Sequence, residues 1–308
     1  MSLIVKKLEE WGPAAAVLAA SREMPCVPPR ETARLRSWVD AVSDRVHHRE
    51  LAALICMEGD RPAGLIAYAR RGPVVRVGYA HVAGGFEGRL PEMLAGATPF
   101  FAPATRVVVD AGPACFSDDP ENVAGYAAAG YHRFERARME RLLKATGDDA
   151  LHQRFHTGPH PDIVALPVND LPALERLQRA GYAGSPDALL VDDLGNMVTE
   201  MLADPWFSAA HSFAVRRDGE LHAALYTFLK ERTAWIASLC VCPSARGTGL
   251  GRHLMLHAME AFREAGMPRV GLHVTLGNRA AARLYRQVGF RMTGRIGVLY
   301  ARELTAPE

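Results

Sequence analysis

Thr233-Ala234-Trp235-Ile236-Ala237-Ser238-Leu239-Cys240-Val241-Cys242-Pro243-Ser244-Ala245-Arg246-Gly247-Thr248-Gly249-Leu250-Gly251-Arg252 is the stretch that decides the fold. β-Forming residues from Thr233 to Val241, bounded by Pro243, predict a buried strand. From Gly251 onward, Leu254, Ala258 and Ala261 recur at helical spacing, and Gly266 followed by Pro268 supplies a stop. The glycines therefore occupy a strand-to-helix turn.

A turn of this kind suits an anion. The first backbone N–H groups of a helix have no intrahelical partner, and the helix dipole favours negative charge there. Gly247, Gly249 and Gly251 carry no Cβ, so a phosphate can approach the backbone, and Arg246 and Arg252 can add charge-assisted hydrogen bonds. A nucleoside-triphosphate loop would end in Gly-Lys-Ser/Thr, but Gly251 is followed by Arg252-His253. A dinucleotide fingerprint needs Gly-x-Gly-x-x-Gly, and the spacing here is Gly-x-Gly-x-Gly. A glycine-rich turn with no ligand is the plain alternative.

Downstream, Arg269 to Thr275 reads as a strand with Val270, Leu272 and Val274 on one face and His273 on the other. Asn278 is placed to cap a helix that runs to about Val288 and ends at Gly289. Ala281, Leu284, Tyr285 and Val288 share one side of that helix.

Arg246-x-x-Gly249-x-Gly251 resembles the pyrophosphate motif of the GNAT superfamily, the acyl-CoA-dependent N-acetyltransferases. Asn278-x-x-Ala281-x-x-Leu284-Tyr285, followed by Gly289-Phe290, resembles the same family's second cofactor motif. The resemblance covers about residues 160 to 304. It implies that the strand before the loop splays from its neighbour and that a pantetheine arm fills the gap. On that basis the backbone of Leu239, Cys240 and Val241 would hold the pantetheine and the acetyl carbonyl. The N–H groups of Gly247, Thr248, Gly249, Leu250, Gly251 and Arg252, beside Arg246, would hold the pyrophosphate, and Asn278 and Ala281 would line the other side of the arm.

The resemblance also implies a role for Tyr285: its phenol, of ordinary pKa ~10, would protonate the departing CoA thiolate, whose conjugate acid lies near ~8.5. A core aromatic is the competing account of Tyr285. Family members often carry an acid or imidazole on the splayed strand, but Ala237 and Trp235 stand there in this chain, which leaves the base unassigned. His273 is the candidate on the neighbouring strand, against the plainer reading of a half-buried strand histidine. Ser238 is a weaker candidate, and a water relay would need no protein base. Cys240 and Cys242 read as small packing residues, because Cys-x-Cys without a second pair is not a metal site. No metal is expected.

With 49% hydrophobic and 23% charged residues among 308, the chain is long enough for two globular domains. A net charge of +2 gives no nucleic-acid footprint. Five cysteines in no disulfide-like framework suggest a reducing, cytoplasmic setting. No run approaches the ~20 apolar residues that span a membrane, and Ala14 to Ala20 reads as one helix face.

The first half repeats the order of the second. Asn122-x-x-x-Tyr126-x-x-x-Gly130-Tyr131 echoes Tyr285-x-x-x-Gly289-Phe290, and matching Gly88-Arg89 to Gly251-Arg252 sets Ala83 in place of Arg246 and Phe86 in place of Gly249. Phe86 would obstruct a phosphate and Glu87 would repel it. The expected architecture is α/β, a mixed α+β sheet. It comprises two GNAT-like domains, each a mostly antiparallel sheet with helices on both faces and a splayed fourth and fifth strand. Residues 1–145 would be a degenerate copy, 146–161 a linker containing His152, His156 and His160, and 162–308 the catalytic domain. An unrelated α/β domain is the rival account of the first half.

The expected activity is transfer of the acetyl group of acetyl-CoA to a small-molecule or amino-acid-like amine by direct attack. A non-catalytic acyl-CoA sensor and a protein or peptide N-acetyltransferase are the alternatives. Acid-rich Asp187, Asp192, Asp193 and Glu200 read as a solvated face more readily than as an amine attractor. Monomer and homodimer both fit, since a tandem chain can bury internally what single-domain relatives bury by pairing.

Overall fold

Two nine-residue strands carry the same irregularity. Val74–Val82 (β4) and Thr233–Val241 (β10) each skip their fifth residue, Gly78 and Ala237, against the preceding antiparallel strand. Each then pairs in parallel with the following strand over its first four residues only. Val74–Val77 pair with Arg106–Val109 and Thr233–Ile236 with Arg269–Leu272. A bulge adds one residue and bends the strand, so both strands leave their parallel neighbour at the same point. This is the expected splay, and it occurs twice.

The computed structural model describes residues 2–8, 14, 15, 17, 29–48, 50–86, 88–112, 118–143, 162–191, 194 and 196–304. The expected linker at 146–161, Asp192, Asp193, Glu87 and most of the expected helix at 14–20 lie outside them. The chain divides into two compact units, Met1–Glu135 with Gly297–Glu308, and Arg136–Ile296.

Unit one has the strand order β1 (Ile4–Lys7), β2 (Ala52–Glu58), β3 (Arg61–Arg71), β4, β5 (Arg106–Asp110) and the end of β12 (Arg291–Glu303). All its pairings are antiparallel except β4 with β5. One face packs under α2 (Leu90–Phe101) and α3 (Pro120–Ala128), and the other under α1 (Pro29–His47).

Unit two has the order β6 (His132–Leu142), β11 (Arg269–Thr275), β10, β9 (Glu220–Lys230), β8 (Phe213–Arg217) and β7 (Ile163–Ala165). Only β10 with β11 is parallel. Leu254, Met255, Leu256, Ala258, Met259 and Phe262 of α6 (Leu250–Glu264), with Tyr285 of α7 (Arg279–Gln287), bury one face of the sheet. Burial stabilises by about 1.5–3 kcal/mol for each large apolar side chain removed from water. Leu174 and Leu177 of α4 (Leu171–Tyr182), and Val198 and Met201 of α5 (Met197–Ala203), bury the other face with Tyr226 and Cys240.

These units differ from a division at 145 and 162. Residues 136–142 of β6, read as the closing strand of the first half, pair with β11 in unit two, and residues 299–303 of β12 pair with β5 in unit one. The two closing strands are exchanged. Alternating polar and apolar residues define a half-buried strand but not which sheet receives it, so periodicity could not reveal the swap. An arginine on each exchanged strand does the same job. Buried Arg141 of β6 donates to the Val288 carbonyl at the end of α7 (2.6 Å), and Arg302 of β12 donates to the Ala129 carbonyl at the end of α3 (2.8 Å). Each occupies a carbonyl that the helix itself leaves unpaired.

Candidate active site

The turn after β10 forms as its sequence requires. Pro243–Ala245 make one turn of 3-10 helix, and Gly249 caps α6 in the left-handed region at φ +89°. A side chain would be strained at that angle, which accounts for the glycine. The first intrahelical bond runs from His253 N to Gly249 O (3.0 Å), so the amides of Leu250, Gly251 and Arg252 precede it. Thr248 Oγ1 donates to the Ala245 carbonyl (2.7 Å) and tightens the turn. Arg246 Nη2 donates to the Gly181 carbonyl at the end of α4 (2.8 Å). Gly181 lies so close to β10 that a Cβ there would sit 1.9 Å from the Cys240 sulfur.

Along β10, Cys242 N donates to His222 O of β9 (2.9 Å). Strand alternation then turns the N–H and C=O groups of Leu239 and Val241 toward β11, where pairing has stopped at Ile236. The result is a row of backbone groups along an open gap. On its far side, Asn278 Oδ1 caps α7 by accepting from Ala281 N (3.1 Å).

The gap is a cavity of about 910 Å³. Its lining includes Leu239, Cys240 and Val241 from β10, Arg246, Gly247, Thr248, Gly249, Leu250, Gly251 and Arg252 from the turn, and His273, Asn278, Ala281 and Tyr285 from β11 and α7. Every residue singled out for the site therefore meets in one place. Open amides and left-handed glycine suit a diphosphate, and a long gap edged by backbone groups suits a pantetheine arm.

Tyr285 is 8% exposed, and burial, with Tyr182 and Asp187 nearby, pushes its phenol well above its ordinary pKa. It is therefore protonated at neutral pH, as a proton donor must be. Tyr182 is raised to about 12, chiefly by burial. His273 lies at the exposed sheet face with its ring 5.4 Å from that of Trp235. Partial burial, then the charges of Arg136 and Arg138, hold its imidazole below the ordinary value, so it is neutral at pH 7. Ala237 is the bulge residue and is exposed.

Several lining residues carried no usable sequence signal. Asp187 is the one acid among the described residues of the lining, and Asn278 Nδ2 donates to its Oδ2 (2.9 Å). Buried Gln178 donates to Ser238 Oγ (2.9 Å), and Tyr182 bonds the same hydroxyl. Arg136 comes from β6, a strand read as part of the other half. Among the described residues no His, Cys, Asp and Glu group could hold a metal, and no helix is long and apolar enough to cross a membrane.

Unit one shows how the same turn looks when closed. Its helix α2 starts at Leu90 with Arg89 as cap at φ −93°. Alignment on the helix start sets Arg89 against Gly249, Pro91 against Gly251 and Phe86 against Arg246, three residues away from the match of Gly88 with Gly251 expected from sequence. The strand-to-helix connection is one residue shorter in unit one, which sequence spacing alone did not disclose. Phe86 is buried, with Arg61 5.0 Å over its ring, and Pro91 has no N–H to offer.

Residues 188–290 match the Acetyltransferase (GNAT) family profile. The mycothiol acetyltransferase of Thermomonospora curvata is 35% identical over 137 residues, 42% of this chain and 45% of that protein. That of Streptomyces coelicolor is 30% identical over 142 residues, 45% of this chain and 44% of that protein. The matches thus span less than half the length of these relatives. A GCN5-related N-acetyltransferase from Sphaerobacter thermophilus shares the fold over 98% of this chain and 95% of its own, with a TM-score of 0.50 at 18% identity. The family match is thus confined to residues 188–290 in unit two, and unit one carries a second copy of the strand pattern.

Proposed function

We propose that the protein is an acetyl-CoA-dependent N-acetyltransferase whose chemistry takes place in unit two. The observation that carries this reading is the convergence of both motifs on one 910 Å³ gap between splayed strands. Acetyl-CoA, when bound, supplies an activated thioester. The amides of Leu250, Gly251 and Arg252 take the diphosphate, and the outward backbone groups of Leu239 and Val241 align the arm and polarise the acetyl carbonyl. Arg246, tied to Gly181, keeps the turn in register with α4.

An ammonium cannot attack, so the acceptor must first lose a proton. His273, neutral and on the cavity wall, takes it directly or through water. The free amine then forms the N–C bond as the C–S bond breaks. Tyr285 gives its proton to the departing sulfur and recovers one from the attacking nitrogen through solvent. Net, an amine and a thioester become an amide and a thiol. Relatives named mycothiol acetyltransferase support a small-molecule acceptor over a protein one.

A thiol-release assay with acetyl-CoA across an amine library tests the reading. Calorimetry accompanies it, with binding of acetyl-CoA expected. No heat with acetyl-CoA overturns the assignment.

A further inference from the structure

The reaction end of the cavity has an arginine without a counter-ion among the described residues. Arg136 lines the cavity, and its Nε is buried with no hydrogen-bond partner among the described residues. Its cross-strand neighbour on β11 is Thr275, 2% exposed, whose Oγ1 is likewise buried and unpartnered among the described residues. His273, two pairs along and opposite Arg138, completes a row on the same sheet face. A buried N–H left unpaired on a half-buried guanidinium costs free energy, as does an unsatisfied hydroxyl, so two such donors side by side point to a ligand that satisfies both.

The diphosphate is not that ligand. Ala137 and Met139 of β6, and Leu272 and Val274 of β11, pack into the core under α6 and α7, the helices that frame the phosphate turn. Arg136, Thr275 and His273 alternate with them and therefore point to the opposite face, where α4 brings Tyr182. Arg136 also acts electrostatically on both Tyr182 and His273, which sets it beside the candidate base rather than at the turn.

We infer that the acceptor is an anionic amine, whose carboxylate or phosphate is held by Arg136 and Thr275 while its nitrogen lies by His273. The inference rests on the acetyltransferase reading above. It also gives β6 a function: a strand encoded in the first half of the chain sets acceptor choice in unit two. Guanidinium forks hold carboxylates and phosphates in two-point geometry, which a lysine reproduces only in charge.

The full chain is tested with matched acceptors: an amino acid against its carboxamide, and ethanolamine against its phosphate ester. Initial rates are measured, and calorimetric binding to protein with and without acetyl-CoA. Anionic members should show roughly 10–100-fold higher kcat/KM, with the preferred pair telling carboxylate from phosphate. Arg136→Gln, assayed at a pH above the His273 titration, should abolish that preference through KM, cost the anionic acceptors far more than the neutral amines, leave acetyl-CoA affinity unchanged, and be partly rescued by Arg136→Lys. Equal or weaker handling of the anionic members by the wild-type protein, in turnover or in binding, overturns the inference. So does an equal loss for all acceptors in Arg136→Gln. Failure to bind acetyl-CoA would instead strike the underlying reading, and it is seen in a separate titration.

Discussion

Units one and two share a strand, a bulge, a splay and a capped helix, yet differ at the turn that matters. In unit two a left-handed glycine opens α6 and leaves amides facing a gap. In unit one an arginine caps α2, a proline removes an amide, and Phe86 fills the space with its ring. The capping devices of the later helix are nonetheless matched closely. Asp119 accepts from Asn122 N as Asn278 accepts from Ala281 N, and Tyr131 N returns to Tyr126 O as Phe290 N returns to Tyr285 O. What has been kept in unit one is what folding requires, and what differs is what a ligand would require.

Four experiments test that contrast. The largest effect should come from Phe86→Ala, which empties a packed site and should cost about 3–5 kcal/mol in denaturant unfolding. Acetyl-CoA affinity should be unchanged, and a gain of a second acetyl-CoA site would refute the idea that unit one lacks the cradle itself. Next, Gly249→Arg with Gly251→Pro writes the unit-one turn into unit two. Strain at φ +89° and a lost N–H should weaken acetyl-CoA binding by about 100-fold, roughly 3 kcal/mol, in calorimetry. Retained affinity would show that the turn does not hold the diphosphate.

Tyr285→Phe should lower kcat about 10–100-fold with acetyl-CoA affinity intact, whereas Tyr126→Phe, whose ring stacks on Tyr300 at 4.1 Å, should leave kcat alone. Equal effects of the two would remove the distinction between units. The smallest effect concerns pH. Since His273 is held below the ordinary imidazole value, the rate should fall as pH drops through that lowered pKa and the base takes up a proton. Arg138→Gln removes one of the charges that lower it, so the acid limb of kcat/KM should move to higher pH. A limb that stays put would exclude His273 as the base.

Much of this was legible in the chain. Glycine at a left-handed cap, asparagine at a helix start and period-two strands are local signals, and they placed the turn, α7 and the whole set of candidate residues, which line one cavity. The illegible part was non-local. Arg136 sits in His-Arg-Phe-Glu-Arg-Ala-Arg-Met-Glu-Arg-Leu, where alternating charges look like any solvated face. Asp187 reads as surface until Asn278 is found 2.9 Å away, 91 residues later. The register of the two turns failed for a related reason: the loop of unit one shares no motif with that of unit two, so matching single glycines set it three residues out.

The crossing of closing strands means that each half of the sequence completes a sheet begun by the other. Arg141 and Arg302 each finish a helix that their own half of the gene does not encode. Cutting the gene at its midpoint would yield two fragments, each missing an edge and carrying a spare one. Each half of the gene is thereby needed to close the other's sheet, and this interdependence supplies a mechanical reason for the two halves to persist together.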